Sequence, residues 1–246
     1  MNSDAPQPVE ATRGNPSFVW RAGQERRLAM TVGAAPLAGR RVLDLGCGLG
    51  TYMTAFLRHT PHVFGLDVEL ERLQSARANG ITGVVDAVGE RMPYADGAFD
   101  VVFSNEVLEH VADDRATAGE IVRILAPGGR AVIFVPNRLY FFETHGIYRN
   151  GVYQFGNKPL VNWLPDRWRN RLAPHVRAYT AAGLRQLFAG TPSRVVNLTQ
   201  IYAGFDNLVR RYGAAGRAVR DIWQGLERTP ARVFGLSHMI VVEKVT

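Results

Sequence analysis

Val42-Leu-Asp-Leu-Gly-Cys-Gly-Leu-Gly50 reads as an apolar strand running straight into three alternating glycines, and from Thr51 the chain is helix-compatible. Glycine tolerates positive φ and carries no Cβ, so Gly46, Gly48 and Gly50 describe a sharp turn at a strand's carboxyl end that lets backbone approach a ligand closely. The helix that follows presents its first N–H groups to the ligand's polar end. A dinucleotide fingerprint needs glycine at 46, 48 and 51. Position 51 is threonine, so the spacing disfavours a nicotinamide dinucleotide while keeping a nucleotide-like ligand.

Further along, His62-Val-Phe-Gly-Leu-Asp67 reads as a second strand closing on a carboxylate 21 residues after Gly46, near the distance expected of a ribose-binding acid. Gly97 to Val111 places another buried strand before a polar turn, and Ala126-Pro-Gly-Gly129 precedes a fifth strand, Ala131 to Val135. Between strands, 51–58, 69–78 and 113–125 read as helices, the second stopped by Asn79-Gly80 and the third by Pro127-Gly128. Thr180 caps a helix reaching Phe188, and strands are expected over 193–202 and 238–244. This alternation predicts an α/β fold, a parallel sheet with helices on both faces. Ligands in such sheets sit outside the carboxyl ends of the strands, where Gly46, Asp67 and Asn105 emerge.

The 246 residues suffice for one domain with an elaborated lid. Cys47 is the single cysteine, which excludes an intrachain disulfide and suggests a reducing, cytoplasmic setting. Its position in the glycine loop suits a small apolar filler better than a nucleophile. The first residues carry no basic end followed by an apolar run, and no stretch approaches membrane-spanning length. Net charge is +7, unevenly spread: residues through 136 carry 13 basic and 16 acidic side chains, and the rest carry 16 and 6. Such an excess attracts phosphates, carboxylates or an anionic membrane surface, so peripheral membrane contact is expected beside a cytoplasmic location.

Residues 1–16 read as a loose polar arm, and Phe18 to Met30 as a short amphipathic helix. Residues 137–178 hold many aromatics and prolines without a sustained period, as in a functional lid. Residues 205–228 place Phe205, Leu208, Val209, Tyr212, Val219, Ile222, Trp223 and Leu226 at mostly helical intervals, with arginines elsewhere on the wheel. Gly213 and Gly216 are expected to bend this basic amphipathic helix, which suits packing on the domain, closing over a substrate or lying on a membrane.

Asp44-Leu-Gly-Cys-Gly-Leu-Gly50, Asp67, Met92-Pro-Tyr94, Phe99-Asp-Val-Val102, Ser104 to His110 and Pro127-Gly-Gly129, in this order, resemble the class I S-adenosylmethionine-dependent methyltransferases, specifically the small-molecule group called type 11. The resemblance covers residues 38 to 136. It implies a Rossmann-like, doubly wound, seven-stranded sheet, mostly parallel with the last strand antiparallel, carrying a helical and aromatic lid insertion. The expected parts are an arm and cap helix (1–36), an S-adenosylmethionine-binding core (37–136), a lid (137–179), and the rest of the core (180–246) with a basic helical insertion (205–234).

By the same resemblance Gly46, Cys47, Gly48 and Gly50 pass beneath the methionyl and ribose portions, Asp67 accepts from the ribose hydroxyls and Asp44 orders the loop. Where the family pattern usually has an acid before the Leu-Pro step, this chain has Val88, so Gly89 and Glu90 are left to define the adenine edge with Met92 or Val68 on its face. Asn105 lines the sulfonium side, and Arg21 is a candidate for the methionyl carboxylate. His145 in the lid is the first candidate proton acceptor, since an imidazole titrating near neutrality can take a hydroxyl proton, and His110 is the second. Glu143 is placed to orient His145, Tyr148 or Tyr179 to bind the acceptor, and His175 is a runner-up. Six scattered histidines show no metal-ligand spacing, so no metal is expected.

The expected activity is methyl transfer, by in-line displacement, to a small-molecule or lipid-linked acceptor, chiefly at oxygen. An RNA-modifying methyltransferase and a non-catalytic methyltransferase-like binding module are the alternatives. No appended RNA-binding module is recognisable, which disfavours nucleic acid.

Overall fold

The computed structural model describes residues 20–245. The amino-terminal arm and Phe18 lie outside them. The predicted cap helix is α1, Ala22–Ala34, and it starts and ends later than the apolar pattern suggests. The core then unfolds as β1 (Val42–Leu45), α2 (Thr51–Phe56), β2 (Val63–Asp67), α3 (Leu70–Ala78), β3 (Val84–Asp86), β4 (Phe99–Asn105), α4 (Asp114–Ile124) and β5 (Leu125–Pro136). Seven strands form one sheet in the order β10-β11-β5-β4-β1-β2-β3, completed by β10 (Ser193–Ile201) and β11 (Ser237–Lys244). β11 runs antiparallel to both its neighbours, while β1, β2, β3, β4 and β5 pair in parallel.

Successive residues of a strand face opposite sides of the sheet, and a sheet covered on both faces needs apolar residues at every position. β1 is buried at all four positions. Its alternate residues divide between two cores. Val42, Val101, Phe103 and Phe134 pack with Leu28 of α1, Met53 of α2 and Leu73 of α3, while Leu43, Leu45, Val102 and Ile133 pack with Ile121 of α4 and with Leu184 and Leu187. The fold is therefore three layers, with the strand ends left to carry the site.

α4 ends at Ile124, within a residue of the expected stop ahead of Pro127-Gly128. Pro127-Gly128 does not follow a free helix end: the helix passes directly into β5, Leu125 pairs with Phe99, and pairing resumes only at Arg130 opposite Val101. The prolyl-glycyl segment is the bulge that joins the two registers. At the other end of α4, Asp113 accepts from the amides of Arg115 and Ala116, as expected of a helix cap.

The segment expected as an unpatterned lid is locally ordered. β6 (Phe142–Glu143) pairs with β9 (Lys158–Pro159), and β7 (Ile147–Arg149) pairs with β8 (Val152–Gln154). α5 (Asp166–Leu172) follows, then α6 (Ala181–Leu187), capped by Thr180 through the Gly183 amide. The basic insertion is α7, Asp206–Gly225, broken at Gly213 (φ 52, ψ −118), a conformation that only glycine adopts easily. Gly216, predicted to bend it too, is helical and buried, and lets the second half cross close to Leu208. Most of this insertion's apolar face stays open, with Ile222 68% exposed. No helix of the described residues is long and apolar enough to cross a membrane.

Candidate active site

The glycine loop adopts the geometry its composition requires. Gly46, Gly48 and Gly50 have φ of 79°, 51° and 77°, the left-handed region that a side chain disfavours. Gly46 and Cys47 donate their amides to the Leu66 carbonyl at the end of β2, at 2.7 and 3.0 Å. A Cβ at Gly46 would fall 2.3 Å from Val107 Cγ2, whereas one at Gly48 would meet nothing within 4 Å. One glycine is thus required by the protein's own packing, while the space beside the other is open.

Asp67 stands where predicted, at the end of β2. Its Oδ2 accepts from the Gly48 amide at 2.8 Å and its Oδ1 from the Glu69 amide at 2.9 Å. Each carboxylate oxygen has a second lone pair, so the group both fastens the loop and keeps acceptor capacity for hydroxyls. Asp44 is 2% exposed and its Oδ2 has no hydrogen-bond partner. Burial, reinforced by Asp67, pushes its carboxyl up to about 8. A buried acid without a donor calls for a polar or cationic ligand group, and an ammonium supplies both charge and N–H donors. These two features, the open cradle at Gly48 and the orphaned oxygen of Asp44, fit S-adenosylmethionine.

Several expected roles are revised. Cys47 is buried with its sulfur in the space left by Gly65, and burial raises the thiol far above its ordinary range, so it is a filler whose contribution to the loop is its backbone. Met92 is 3% exposed and belongs to the same apolar core as Leu45 and Leu66, so it is not the face of a ring site; Val68, 40% exposed, retains that possibility. Glu90 turns its carboxylate to the Ala112 and Asp113 amides at 2.7 and 3.1 Å, tying the loop after β3 to the start of α4. Gly89 packs against Thr117 of α4, where a Cβ would come within 3.0 Å.

Arg21 starts α1 and lines a cavity of about 260 Å³ with Gln24, Arg27, Tyr52, Asn105 and Tyr202. A larger cavity, about 610 Å³, is lined by Trp20, Leu49, Thr51, Thr54, Ala55, Arg58, Asn79 and Ile81 and includes neither Asp67 nor Asn105. The smaller chamber reaches Asn105, and its lining too leaves out Asp67. The arginine that reaches Asn105 is Arg27, not Arg21. It donates to Asn105 Oδ1, bonds Ser237 Oγ at 2.9 Å, pairs with Glu106 at 3.1 Å and lies 5.1 Å from the Phe134 ring centroid. Nothing in the helical pattern distinguished Arg27 from its neighbours, because its partners come from β4, β5 and β11. Arg26 pairs with Glu227, so α1 closes over the chamber on two ionic contacts.

The turn after β4 brings Glu106, Glu109 and His110 toward His145. Glu106 has φ 57, a strained position for a side-chain-bearing residue. Burial would raise its carboxyl, but Arg27 and His145 hold it below the ordinary range. The lid delivers His145 to this turn: its Nε2 lies 3.9 Å from Glu109 Oε1, and His110 Nε2 lies 4.0 Å from the same atom. The three residues, Glu109, His110 and His145, place ligand-capable atoms within 4.8 Å of one another. Their separation along the chain hides this grouping, and the spacing argument against a metal does not survive it.

His145 is held from behind. Its Nδ1 lies 3.1 Å from Glu143 Oε1, and Arg169 donates to Glu143 Oε2 at 2.6 Å. Its carbonyl accepts from Tyr153 at 2.6 Å and lies 3.1 Å from His175 Nε2. His175 therefore braces the lid. Tyr179 does likewise, donating to the Leu108 carbonyl and meeting Asp114 Oδ2; its hydroxyl is committed to the fold rather than to an acceptor. Tyr148 packs its ring on Tyr153 and His175.

Known proteins bear on this arrangement. A family model described as a methyltransferase domain matches residues 43–133. A ubiquinone biosynthesis O-methyltransferase of Ralstonia nicotianae is 30% identical over 185 residues, 70% of this chain and 71% of its own length. Its counterpart in Xylella fastidiosa is 35% identical over 109 residues, and the match spans only 44% of that protein. A solved S-adenosylmethionine-dependent methyltransferase of Mesorhizobium loti superposes with a TM-score of 0.61 at 19% identity, covering 90% of this chain and 97% of its own. That likeness is one of fold, and the cyclase SpnF shares it at a TM-score of 0.59. The chain belongs to the class I S-adenosylmethionine-dependent methyltransferases.

Proposed function

We propose that this chain transfers the methyl group of S-adenosylmethionine to an oxygen of a small-molecule or lipid-linked acceptor. The observation that carries the reading is the fastening of the glycine loop by Asp67 at the rim that also holds Asn105 and His145. When bound, the cofactor supplies an activated methyl on a sulfonium. The chain's own task is then positioning and water exclusion. Asp67 and Asp44 would hold the nucleoside and ammonium ends, Arg21 is placed for the carboxylate, and Val68 for one face of the base. Asn105, buttressed by Arg27, would line the chamber on the reacting side. His145 and His110 would face the acceptor beneath the lid. The O-methyltransferase relatives favour oxygen as the methylated atom. The exposed Tyr212, Ile222 and Trp223, beside Arg211 and Arg220, support an acceptor presented at an anionic lipid surface.

Calorimetry with S-adenosylhomocysteine tests the cofactor half. Asp67→Ala is expected to weaken binding tenfold or more, about 1.4 kcal/mol, with Asp67→Asn between it and the wild type because one oxygen is kept. Equal affinity in all three would remove Asp67 from the ribose site.

Asp44→Asn should act with opposite signs on fold and function. The Asp44 carboxyl is raised from 3.8 to about 8, so the folded chain holds a proton that the unfolded chain releases. Its contribution is therefore full below about pH 4 and is lost as pH rises through about 8. The variant lacks that loss: its unfolding temperature should exceed the wild type's increasingly from pH 5 to 8, while its cofactor affinity falls about tenfold. A destabilised variant with unchanged affinity would overturn this assignment.

A further inference from the structure

Three carboxyl groups meet beneath the lid, one half-buried and two buried, and two have arginine partners: Glu106 pairs with Arg27 at 3.1 Å and Glu143 with Arg169 at 2.6 Å. The third, Glu109, has a side chain at 0% exposure, and neither of its oxygens has a hydrogen-bond partner. It is faced instead by two imidazole nitrogens, His145 Nε2 at 3.9 Å and His110 Nε2 at 4.0 Å.

The tautomers follow from what each ring meets on its other side. His110 Nδ1 lies 3.2 Å from the His175 carbonyl, and His145 Nδ1 lies 3.1 Å from the Glu143 carboxylate. Both partners accept only, so each Nδ1 carries the hydrogen and each Nε2 is left with a lone pair. Two lone pairs and the Glu109 carboxyl thus converge on one small volume, with neither imidazole turning an N–H toward it.

We infer that Glu109, His110 and His145 form a binding site for a single first-row divalent cation, with Zn²⁺ as the best match. One carboxylate and two imidazoles are the hard and borderline donors that zinc accepts, whereas magnesium takes oxygen ligands and water. Ligands at roughly 2.0–2.1 Å around a tetrahedral ion lie about 3.4 Å apart, so the three donors, now within 4.8 Å of one another, have to draw together by up to about 1.4 Å. The outer contacts fit the same role. A carboxylate behind one histidine and a backbone carbonyl behind the other fix ring orientation and basicity, and Arg169 fixes that carboxylate in turn. Ligands bind a cation deprotonated, so affinity for the ion should rise with pH.

Three protein ligands leave a fourth position open. That this position receives the acceptor's oxygen rests on the methyltransferase reading; the cation site itself does not. As a ligand, His145 Nε2 is no longer the proton acceptor expected from the sequence.

Zn²⁺ titrated calorimetrically into the chelator-treated full chain is expected to bind one ion per molecule, more tightly as pH rises, and Co²⁺ to give the intense visible bands of a tetrahedral site. Glu109→Gln and His145→Ala should each weaken Zn²⁺ tenfold to a hundredfold, leaving S-adenosylhomocysteine affinity unchanged. Glu109→Gln keeps the size of the side chain and introduces no charge, so its unfolding temperature should not drop, and Zn²⁺ should raise that temperature only in the wild type. Zn²⁺ held equally by the wild type and both variants, or by none of them, overturns the site. Retained S-adenosylhomocysteine binding in that event leaves the methyltransferase reading standing; wild-type protein that binds Zn²⁺ but no S-adenosylhomocysteine overturns that reading alone.

Discussion

Arg169→Met is expected to destabilise the protein by about 3–5 kcal/mol, because it strands a buried carboxylate rather than deleting an ion pair. Arg169 is 2% exposed and donates to Glu143 Oε2 and to the Val176 carbonyl, both at 2.6 Å, so one guanidinium joins β6, α5 and the segment leading to α6. Its methylene stem survives in methionine, and its donors do not. Burial would raise the Glu143 carboxyl, yet the hydrogen bond from His145 and the Arg169 charge hold it down to about 2.

A lowered carboxyl stabilises the folded state above its ordinary value, here 4.5, and that contribution is lost as pH falls toward about 2. Wild type and Arg169→Met should therefore differ most at neutral pH and converge in acid, as followed by urea unfolding from pH 7 to pH 3. Adding Glu143→Leu should recover part of the loss and not all, since the His145 amide and Nδ1 also use Glu143. A difference under 1 kcal/mol at pH 7 would show that this pair does not hold the lid.

The strand-and-glycine frame was legible because its causes are local. A strand buried on both faces needs an unbroken apolar run, and a turn at positive φ needs glycine, so Val42 to Gly50 and Asp67 could be read one residue at a time. β3 has three residues, too few for a period to emerge. Where a pattern had two possible owners, the reading failed: Met92 is apolar whether it meets a ring or the core. The lid is harder still. Glu109 and His110 follow β4, His145 comes from the turn after β6, and what joins them is tertiary packing that no window of sequence contains. The same holds for Arg27, one of three arginines in the first turns of α1, distinguished only by Asn105, Glu106 and Ser237 at its far end.

Two glycines of one loop should answer differently to substitution. Gly46→Val is expected to cost about 3–5 kcal/mol of stability: φ of 79° is strained by roughly 1–3 kcal/mol in a β-branched residue, and overpacking adds a similar amount. The Cβ would sit 2.3 Å from Val107 Cγ2, and Val107 cannot retreat freely because it follows Glu106, itself held at positive φ by the contacts with Arg27 and Ser237. The damage should spread along the turn, loosening Asn105 and Glu109 together. Gly48→Ala carries strain alone, about 1–2 kcal/mol, because its Cβ meets nothing. If the space it enters is the cofactor's, that mild variant should stay folded and lose S-adenosylhomocysteine affinity by a hundredfold or more, while Gly46→Val fails first as a fold. Thermal unfolding paired with calorimetry separates the two effects. Gly48→Ala binding as tightly as the wild type would place the cofactor elsewhere than against this loop.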